Sequence, residues 1–336
     1  MSAIVTGACG FVGCNLVEHL LAAKRTVVAV DRSARWPVDA EARFATLPGQ
    51  LTFVPADVRD PEALERAFAC ATASAPQGIE GVLHCAAITP GLERETRDAD
   101  LVMQVNLLGT LRVLEAARDH GARRVMYLSS ASVYGAAAYP GRPLEEGRDM
   151  PVPDTMYGIA KYAADRAALR ARELWGLDVI VARVGAVFGP WERDTGVRDT
   201  FSGPMLATRA LLRAEEVRLP RGGPSDWVYA PDVAAALVAL LDAEAHEHEL
   251  YHVSSGGGWS LADWCRALDE RLGQGRFRLD PDAAATLPLA TRDRAPLAID
   301  RLRAHYLPRY GLEAAMDHYL AWLEARTPAW HASWCA

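Results

Sequence analysis

The first thirty residues constrain this chain more than any other stretch. A short apolar strand, Ala3 to Val5, runs into Thr6-Gly7-Ala8-Cys9-Gly10-Phe11-Val12-Gly13. A helical stretch from Asn15 to Ala23 follows, then a second apolar strand from Thr26 to Val30, ending at Asp31. Each glycine has a separate task in such a turn. Gly7 permits the tight turn out of the strand, Gly10 lets backbone approach a pyrophosphate, and Gly13 lets the helix pack closely on the sheet. The helix N-terminus adds free N–H groups and positive partial charge for phosphates. Asp31 stands where a carboxylate accepts hydrogen bonds from both ribose hydroxyls of an adenosine. A glycine triplet alone could be a turn without a ligand; the strand–turn–helix–strand–Asp setting is what points to a dinucleotide.

Composition narrows the class. The 336 residues are long for one compact domain, so one large or two unequal lobes are expected. A net charge of -7 offers no electrostatic footprint for nucleic acid or for an anionic membrane. No apolar run reaches the ~18 residues of a membrane span. The first strand begins almost at Met1, leaving no room for a signal peptide, and a cytoplasmic protein is expected. Cys9, Cys14, Cys70, Cys85, Cys265 and Cys335 show no paired metal spacing, so free thiols and no metal are expected.

Strand-like runs recur at Ala3–Thr6, Thr26–Asp31, Leu51–Pro55, Gly81–Cys85, Arg124–Ser129 and Asp178–Val184. Helical patterns alternate with them at Phe11–Ala23, Pro61–Ala71, Asp100–His120 and Thr155–Leu174. This alternation predicts an α/β fold, a doubly wound parallel (Rossmann) sheet covered on both faces, and the strands are continuous apolar runs as burial on both sides requires. Ligands of such sheets bind at the carboxyl ends of the strands. Asp31, Asp57, Cys85-Ala86-Ala87 and Ser129-Ser130 stand at those ends. Asp57 could meet an adenine amino group, because Asp60 is the better cap for the helix opening at Pro61. His84 reads as a satisfied core histidine.

Gly135 to Pro153 reads as a surface loop over the active edge. The dinucleotide domain is placed at 1–184, with chain returning at about 226–255, and residues 185–336 as mostly a smaller lobe and C-terminal helices. Met205–Arg213, Pro231–Ala243, Leu261–Leu272 and Leu312–Arg326 read as helices, the last with Leu312, Ala315, Met316, Tyr319, Leu320 and Leu323 on one core-facing side. Whether Trp330 and Trp334 dock on the body or on a partner is left open.

The chemistry concentrates at Tyr157-Gly158-Ile159-Ala160-Lys161, near the start of a long helix. A spacing of i to i+4 puts both side chains on one face. A phenol with a pKa near ~10 is a poor acid–base at neutral pH, and a nearby ammonium is expected to lower it. The pair could then exchange a proton with a substrate hydroxyl while hydride moves to or from nicotinamide. Ser130 is placed to hydrogen-bond the same oxygen. Tyr-x-x-x-Lys alone is common on solvated helices; its company gives it meaning here.

The series Thr6-Gly-x-x-Gly10-Phe-x-Gly13, Asp31, Asp57-Val58, His84-x-Ala86-Ala87, Asn106-x-x-Gly109-Thr110, Ser129-Ser130-x-x-Val133-Tyr134-Gly135, Tyr157-x-x-x-Lys161, Arg183 and Gly189-Pro190 resembles the extended short-chain dehydrogenases/reductases. That family includes nucleotide-sugar epimerases, dehydratases and sugar dehydrogenases. The resemblance covers residues 3 to about 190 closely and the remainder loosely. It implies a catalytic set of Ser130, Tyr157 and Lys161. It implies cofactor contacts from Gly7, Gly10, Phe11, Val12, Gly13, Asp31, Arg32, Asp57, Val58, Ala86, Ala87, Asn106, Tyr157 and Lys161. NAD is expected, since the Asp31 carboxylate repels a 2′-phosphate, while Arg32 and Arg35 keep NADP open. Thr89 and Ser132 are expected on the substrate side.

Departures from the family pattern bear on the substrate. Dehydratases resemble one another in an Asp-Glu pair where Ala131 and Ser132 stand here, so a dehydratase is not expected. Nucleotide-sugar members usually carry an Asn and an Arg where Ala186 and Ser225 stand, with Arg221 a possible replacement. The charged stretch Trp191 to Thr200 offers Arg193 and Arg198 as clamps for a carboxylate or phosphate, or as a solvated loop paired with Glu192, Asp194 and Asp199. The leading expectation is a dehydrogenase or reductase acting at a secondary alcohol or ketone of a sugar, sugar acid or related polyol. The rival is a UDP-hexose-type 4-epimerase with tightly bound NAD, and a non-catalytic dinucleotide sensor stands behind both. The helices Asp100–His120 and Thr155–Leu174 resemble the pair that forms a four-helix dimer interface in the family, so a homodimer is expected.

Overall fold

The computed structural model describes residues 1–32, 36–75, 77–290 and 292–335. Seven strands form the central sheet: β1 (Ser2–Thr6), β2 (Thr26–Asp31), β3 (Gln50–Pro55), β4 (Ile79–His84), β5 (Val125–Ser130), β6 (Val179–Val184) and β7 (Leu250–Val253). Their order is β7-β6-β5-β4-β1-β2-β3, and every pairing is parallel. β1 and β6 are buried along their whole length, which is why they read as unbroken apolar runs.

Alternate residues of each strand feed opposite layers. Ala3 and Val5 join the layer holding the helices Phe11–Ala22 and Ala230–Asp242. Ile4 and Val28 join the other, under Pro61–Ser74, Gly109–Asp119 and Met156–Trp175. The chain builds outward from β1 in both directions, through β2 and β3 on one side and β4 onward on the other. That reversal opens a crevice beyond the carboxyl ends of β1 and β4.

The stretch predicted as one helix over Asp100–His120 is three: Ala99–Met103, a π-helical turn at Gln104–Leu108, and Gly109–Asp119. The inserted turn carries Asn106 into the core, and a Cβ at Gly109 would stand 2.7 Å from Val58 Cγ2. Beyond Gly185 two short parallel pairs appear, Ala186–Phe188 with Trp227–Tyr229 and Val217–Leu219 with Phe277–Leu279. Between Trp227–Tyr229 and Phe277–Leu279 in the chain, β7 rejoins the sheet against β6. The tail question resolves onto the body. The helix Pro328–Cys335 buries Trp330 against Trp191 and Trp322, with ring centroids 5.6 and 5.1 Å apart.

Candidate active site

The glycine turn is built as close approach demands. Gly7 has φ +68°, and a Cβ there would lie 2.7 Å from the Ala86 backbone across the β1–β4 crevice. At Gly13 a Cβ would stand 2.1 Å from Gly7 O, so only glycine lets the helix Phe11–Ala22 start so near the turn. Asp31 Oδ2 accepts the Cys9 N–H at 3.1 Å, which sets the carboxylate beside the same turn. These features fit a dinucleotide: a bare backbone cradle, an open helix start and a carboxylate at the ribose end.

A cavity of about 540 Å³ lies at the carboxyl edge, walled on one side by Gly7, Gly10, Phe11, Val12 and Gly13. Ser130, Ser132, Tyr157, Lys161 and Thr89 line it further along, so the structure gathers the predicted catalytic set in one place. Local sequence explains the gathering. Ser130 ends β5 and caps the 3-10 turn Ala131–Tyr134, its Oγ accepting Ser132 N at 3.1 Å. Thr155 caps the Tyr157 helix, its Oγ1 accepting Gly158 N at 3.0 Å. A Cβ at Gly158 would meet Ser132 O at 2.6 Å, so this glycine lets the helix start close against the strand end.

Burial raises the Tyr157 phenol pKa. The Ser130 hydroxyl opposes this first, followed by the Arg198 charge, the Thr89 hydroxyl and the Arg294 charge. Lys161, expected to acidify the phenol, is not among these largest causes. Its ammonium instead donates to the Leu128 carbonyl and lies 4.5 Å over the Tyr127 ring. Burial pushes Lys161 down to about 8, with Asp165 opposing.

Other expected site residues lie elsewhere. Asn106 spends both ends of its amide on the Ile88 backbone, accepting its N–H at 2.8 Å and donating to its carbonyl at 2.9 Å. It holds the loop after β4 and does not line the cavity, which corrects its expected cofactor contact. Val58 is buried in the core under Gly109 and likewise stays behind the site. His84 is the satisfied core residue expected, between Thr6 Oγ1 at 2.6 Å and Thr110 Oγ1 at 3.0 Å, and burial pushes it down to about 3.

Ala86 abuts Gly7, and Ala87 lines the cavity. Asp57, at the end of β3, is gripped by Arg59 through Nε at 3.0 Å and Nη2 at 2.7 Å. Asp60 caps the following helix, accepting Glu62 N and Ala63 N. Arg32 is exposed at the end of β2, and Arg35 lies outside the described residues.

The charged stretch after Trp191 divides. Arg198 lines the cavity, pairs with buried Glu192 at 2.9 Å and lies 5.1 Å over the Phe11 ring. Arg193 turns away to donate to Cys9 O at 3.1 Å, so the structure does not bring it to the substrate side as expected. Asp199 is bound by Arg94 at 2.7 Å. Two residues the sequence reasoning missed line the same cavity: Arg292, 4.1 Å over the Tyr139 ring, and Arg294, whose Nη1 donates to Ser132 Oγ at 3.4 Å. Neither has a carboxylate partner among the described residues. Arg221, considered as a replacement phosphate ligand, is bound to Asp293 at 2.9 Å and so anchors the segment that carries them.

Comparison with known proteins agrees with this geometry. The model of the NAD dependent epimerase/dehydratase family matches residues 3–254. The chain is 32% identical over 243 residues to a UDP-glucose 4-epimerase of Mycolicibacterium smegmatis, covering 71% of this chain and 72% of that protein. It is 28% identical over 254 residues to a GDP-6-deoxy-D-mannose reductase of Pseudomonas aeruginosa, covering 75% and 74%. Among solved structures, a UDP-glucose 4-epimerase of Thermus thermophilus in complex with NAD is similar, with a TM-score of 0.77 and 26% identity over 97% of this chain and 100% of that one. With its parallel seven-stranded sheet and glycine cradle, the chain belongs to the NAD-dependent epimerase/dehydratase family of extended short-chain dehydrogenases/reductases, and is an NAD-dependent enzyme.

Proposed function

We propose that this enzyme moves a hydride between NAD and a secondary alcohol or ketone of an anionic sugar, such as a sugar acid, with net oxidation or reduction. One observation carries the reading. The cavity that runs from the glycine turn to Tyr157 is also lined by Arg198, Arg292 and Arg294. Guanidinium groups beside the reacting phenol favour a substrate that brings negative charge. The cofactor would be held by Gly7, Gly10, Phe11, Val12, Gly13, Asp31, Ala87 and Lys161, with Asp57 and Arg32 toward the adenosine. When bound, NAD supplies the hydride donor or acceptor.

Within this reading the chain's own residues handle the proton. Tyr157 Oη exchanges it with the substrate oxygen, and the Ser130 and Thr89 hydroxyls, which line the same cavity, orient that oxygen. A phenol raised above its ordinary value rests protonated at neutral pH, which suits giving a proton to a ketone, the reductive direction. Ala131 and Ser132 offer no carboxyl to expel water, which speaks against dehydration.

A second reading has specific support: Arg292 and Arg294 could equally meet a diphosphate, and UDP-glucose 4-epimerases are among the similar proteins. The two separate on purified protein. Net NADH formation or consumption with sugar acids or their keto forms, with Arg294→Ala raising KM more than tenfold at little cost in kcat, supports net redox. Cofactor that stays bound through purification, with UDP-hexose interconversion and no net NADH change, overturns it in favour of the epimerase.

We also infer a homodimer in a reducing compartment, the cytoplasm. The helices Gly109–Asp119 and Met156–Trp175 pack side by side, with Leu108 and Ile159 exposed along them. Cys9, Cys14, Cys70, Cys85 and Cys265 are free thiols.

A further inference from the structure

Lys161 carries its charge where burial opposes one, and the groups around it decide whether it keeps a proton. From β5 it meets the Leu128 carbonyl and the Tyr127 ring. At the end of β4, His84 and Cys85 stand near enough to feel its charge. Neither of those offers a counter-charge: burial pushes His84 down to about 3 and the Cys85 thiol up to about 12, so both are neutral at physiological pH. On its own helix Asp165 stands one turn on and on the same face, and its charge favours the ammonium. Among these groups only Asp165 is an acid that can carry a negative charge near neutral pH.

Asp165 is fully buried, and a neighbouring strand braces it. Arg183 sits opposite Ser129 in the β5–β6 register and donates Nε to Asp165 Oδ2 at 3.0 Å, with the Ser129 hydroxyl also beside the carboxylate. Arg183 Nη1 donates to the Tyr134 hydroxyl at 2.9 Å. Tyr134 in turn donates to His252 Nε2 at 2.6 Å, since His252 Nδ1 is turned to the Ala298 carbonyl at 2.9 Å. The carboxylate thus pairs directly with Arg183 and stands one helical turn from the buried ammonium of Lys161.

We propose that Asp165 is a positioning residue: a buried counter-charge, braced by Arg183, Tyr134 and His252, that keeps Lys161 cationic and set to hold the cofactor ribose at neutral pH. The proposal rests on the reading of Lys161 as a cofactor contact. A purely structural ion pair between Asp165 and Arg183 would leave the titration of Lys161 alone. The test therefore measures NADH affinity by fluorescence from pH 6 to 10, with each variant's fold checked by its thermal transition.

Wild-type affinity is expected to fall above about pH 8, where Lys161 loses its proton. Asp165→Asn removes the attraction that supports the ammonium, so the fall moves to lower pH by roughly one to three units. Asp165→Glu restores most of it, and Lys161→Met shows no fall at all. Should Asp165→Asn fail to fold, Arg183→Met tests the same electrostatics from the other side. It removes the cation that opposes the effect of burial on the carboxylate, so Asp165 is more readily protonated, Lys161 loses its counter-charge and the fall again moves to lower pH. A folded Asp165→Asn with a wild-type profile, or Arg183→Met with no shift, overturns the proposal. If Lys161→Met itself keeps wild-type affinity and profile, the reading of Lys161 fails instead.

Discussion

Gly13→Ala tests the cradle at its tightest point. The added Cβ would lie 2.1 Å from Gly7 O, 2.8 Å from Ala8 Cα and 2.9 Å from Gly7 C. All three are backbone atoms, so no side chain can rotate aside, and carbon contacts relax only near 3.5 Å. The helix Phe11–Ala22 must retreat by roughly 1 Å from the turn, and on its far side it packs against Ala230–Asp242. Overpacking a rigid site costs about 1–3 kcal/mol, and a wall made of backbone puts this case near ~3 kcal/mol. At about 2 °C per kcal/mol for a large chain, the Tm should fall by ~6 °C. NADH affinity should fall at least tenfold, because Gly7 and the first helical turn can no longer keep their spacing. Gly176→Ala is the control. It also has a left-handed φ, +65°, but nothing within 4 Å of its Cβ, so it should cost only ~1 kcal/mol and leave NADH binding untouched. Calorimetry and NADH fluorescence titration on both variants decide the matter. Gly13→Ala no less stable than Gly176→Ala, or binding NADH like wild type, would refute the close-approach argument.

Two further outcomes are expected. Tyr157→Phe should lower turnover by ~10²–10⁴, the range of a lost general acid, while NADH affinity stays within twofold; turnover within threefold of wild type would remove the phenol from the chemistry. Light scattering at micromolar concentration should give twice the 36.5 kDa chain mass, and a monomer would sink the paired-helix interface.

Much of the fold was legible because the central strands announce themselves. Residues 26–31 and 179–184 are apolar runs that burial on two faces requires, and helix caps such as Asp60 and Thr155 mark their helices locally. The π-helical turn at Gln104–Leu108 was not legible, because its setting is tertiary: Val58 leaves no room for a side chain at Gly109, and Asn106 reaches Ile88. Sequence reasoning placed Tyr157 and Ser130 together, since each is set by a strand end or a helix cap. It missed Arg292 and Arg294 for the opposite reason. They lie in irregular chain with no periodicity, and reach the cavity only because Leu144 and Leu297 form a bridge and Asp226 accepts Leu297 N. Nor did it foresee the Leu128 carbonyl as the partner of Lys161, since spacing along a helix says which residues share a face but not which carbonyl an ammonium will find.

The cluster around Trp191 ties distant parts of the chain together. Trp191 holds a left-handed backbone at φ +67° and donates its indole N–H to Glu18 on the first helix, while Trp322 and Trp330 close over its ring. The next residue, Glu192, fixes Arg198 at the cavity. The bend at Trp191 can therefore settle only once residues 322–330 have been made and have folded back onto it. The cavity wall that carries Arg198 is completed only with those residues in place, so a chain truncated before Trp322 should be cut by protease first near residues 191–200.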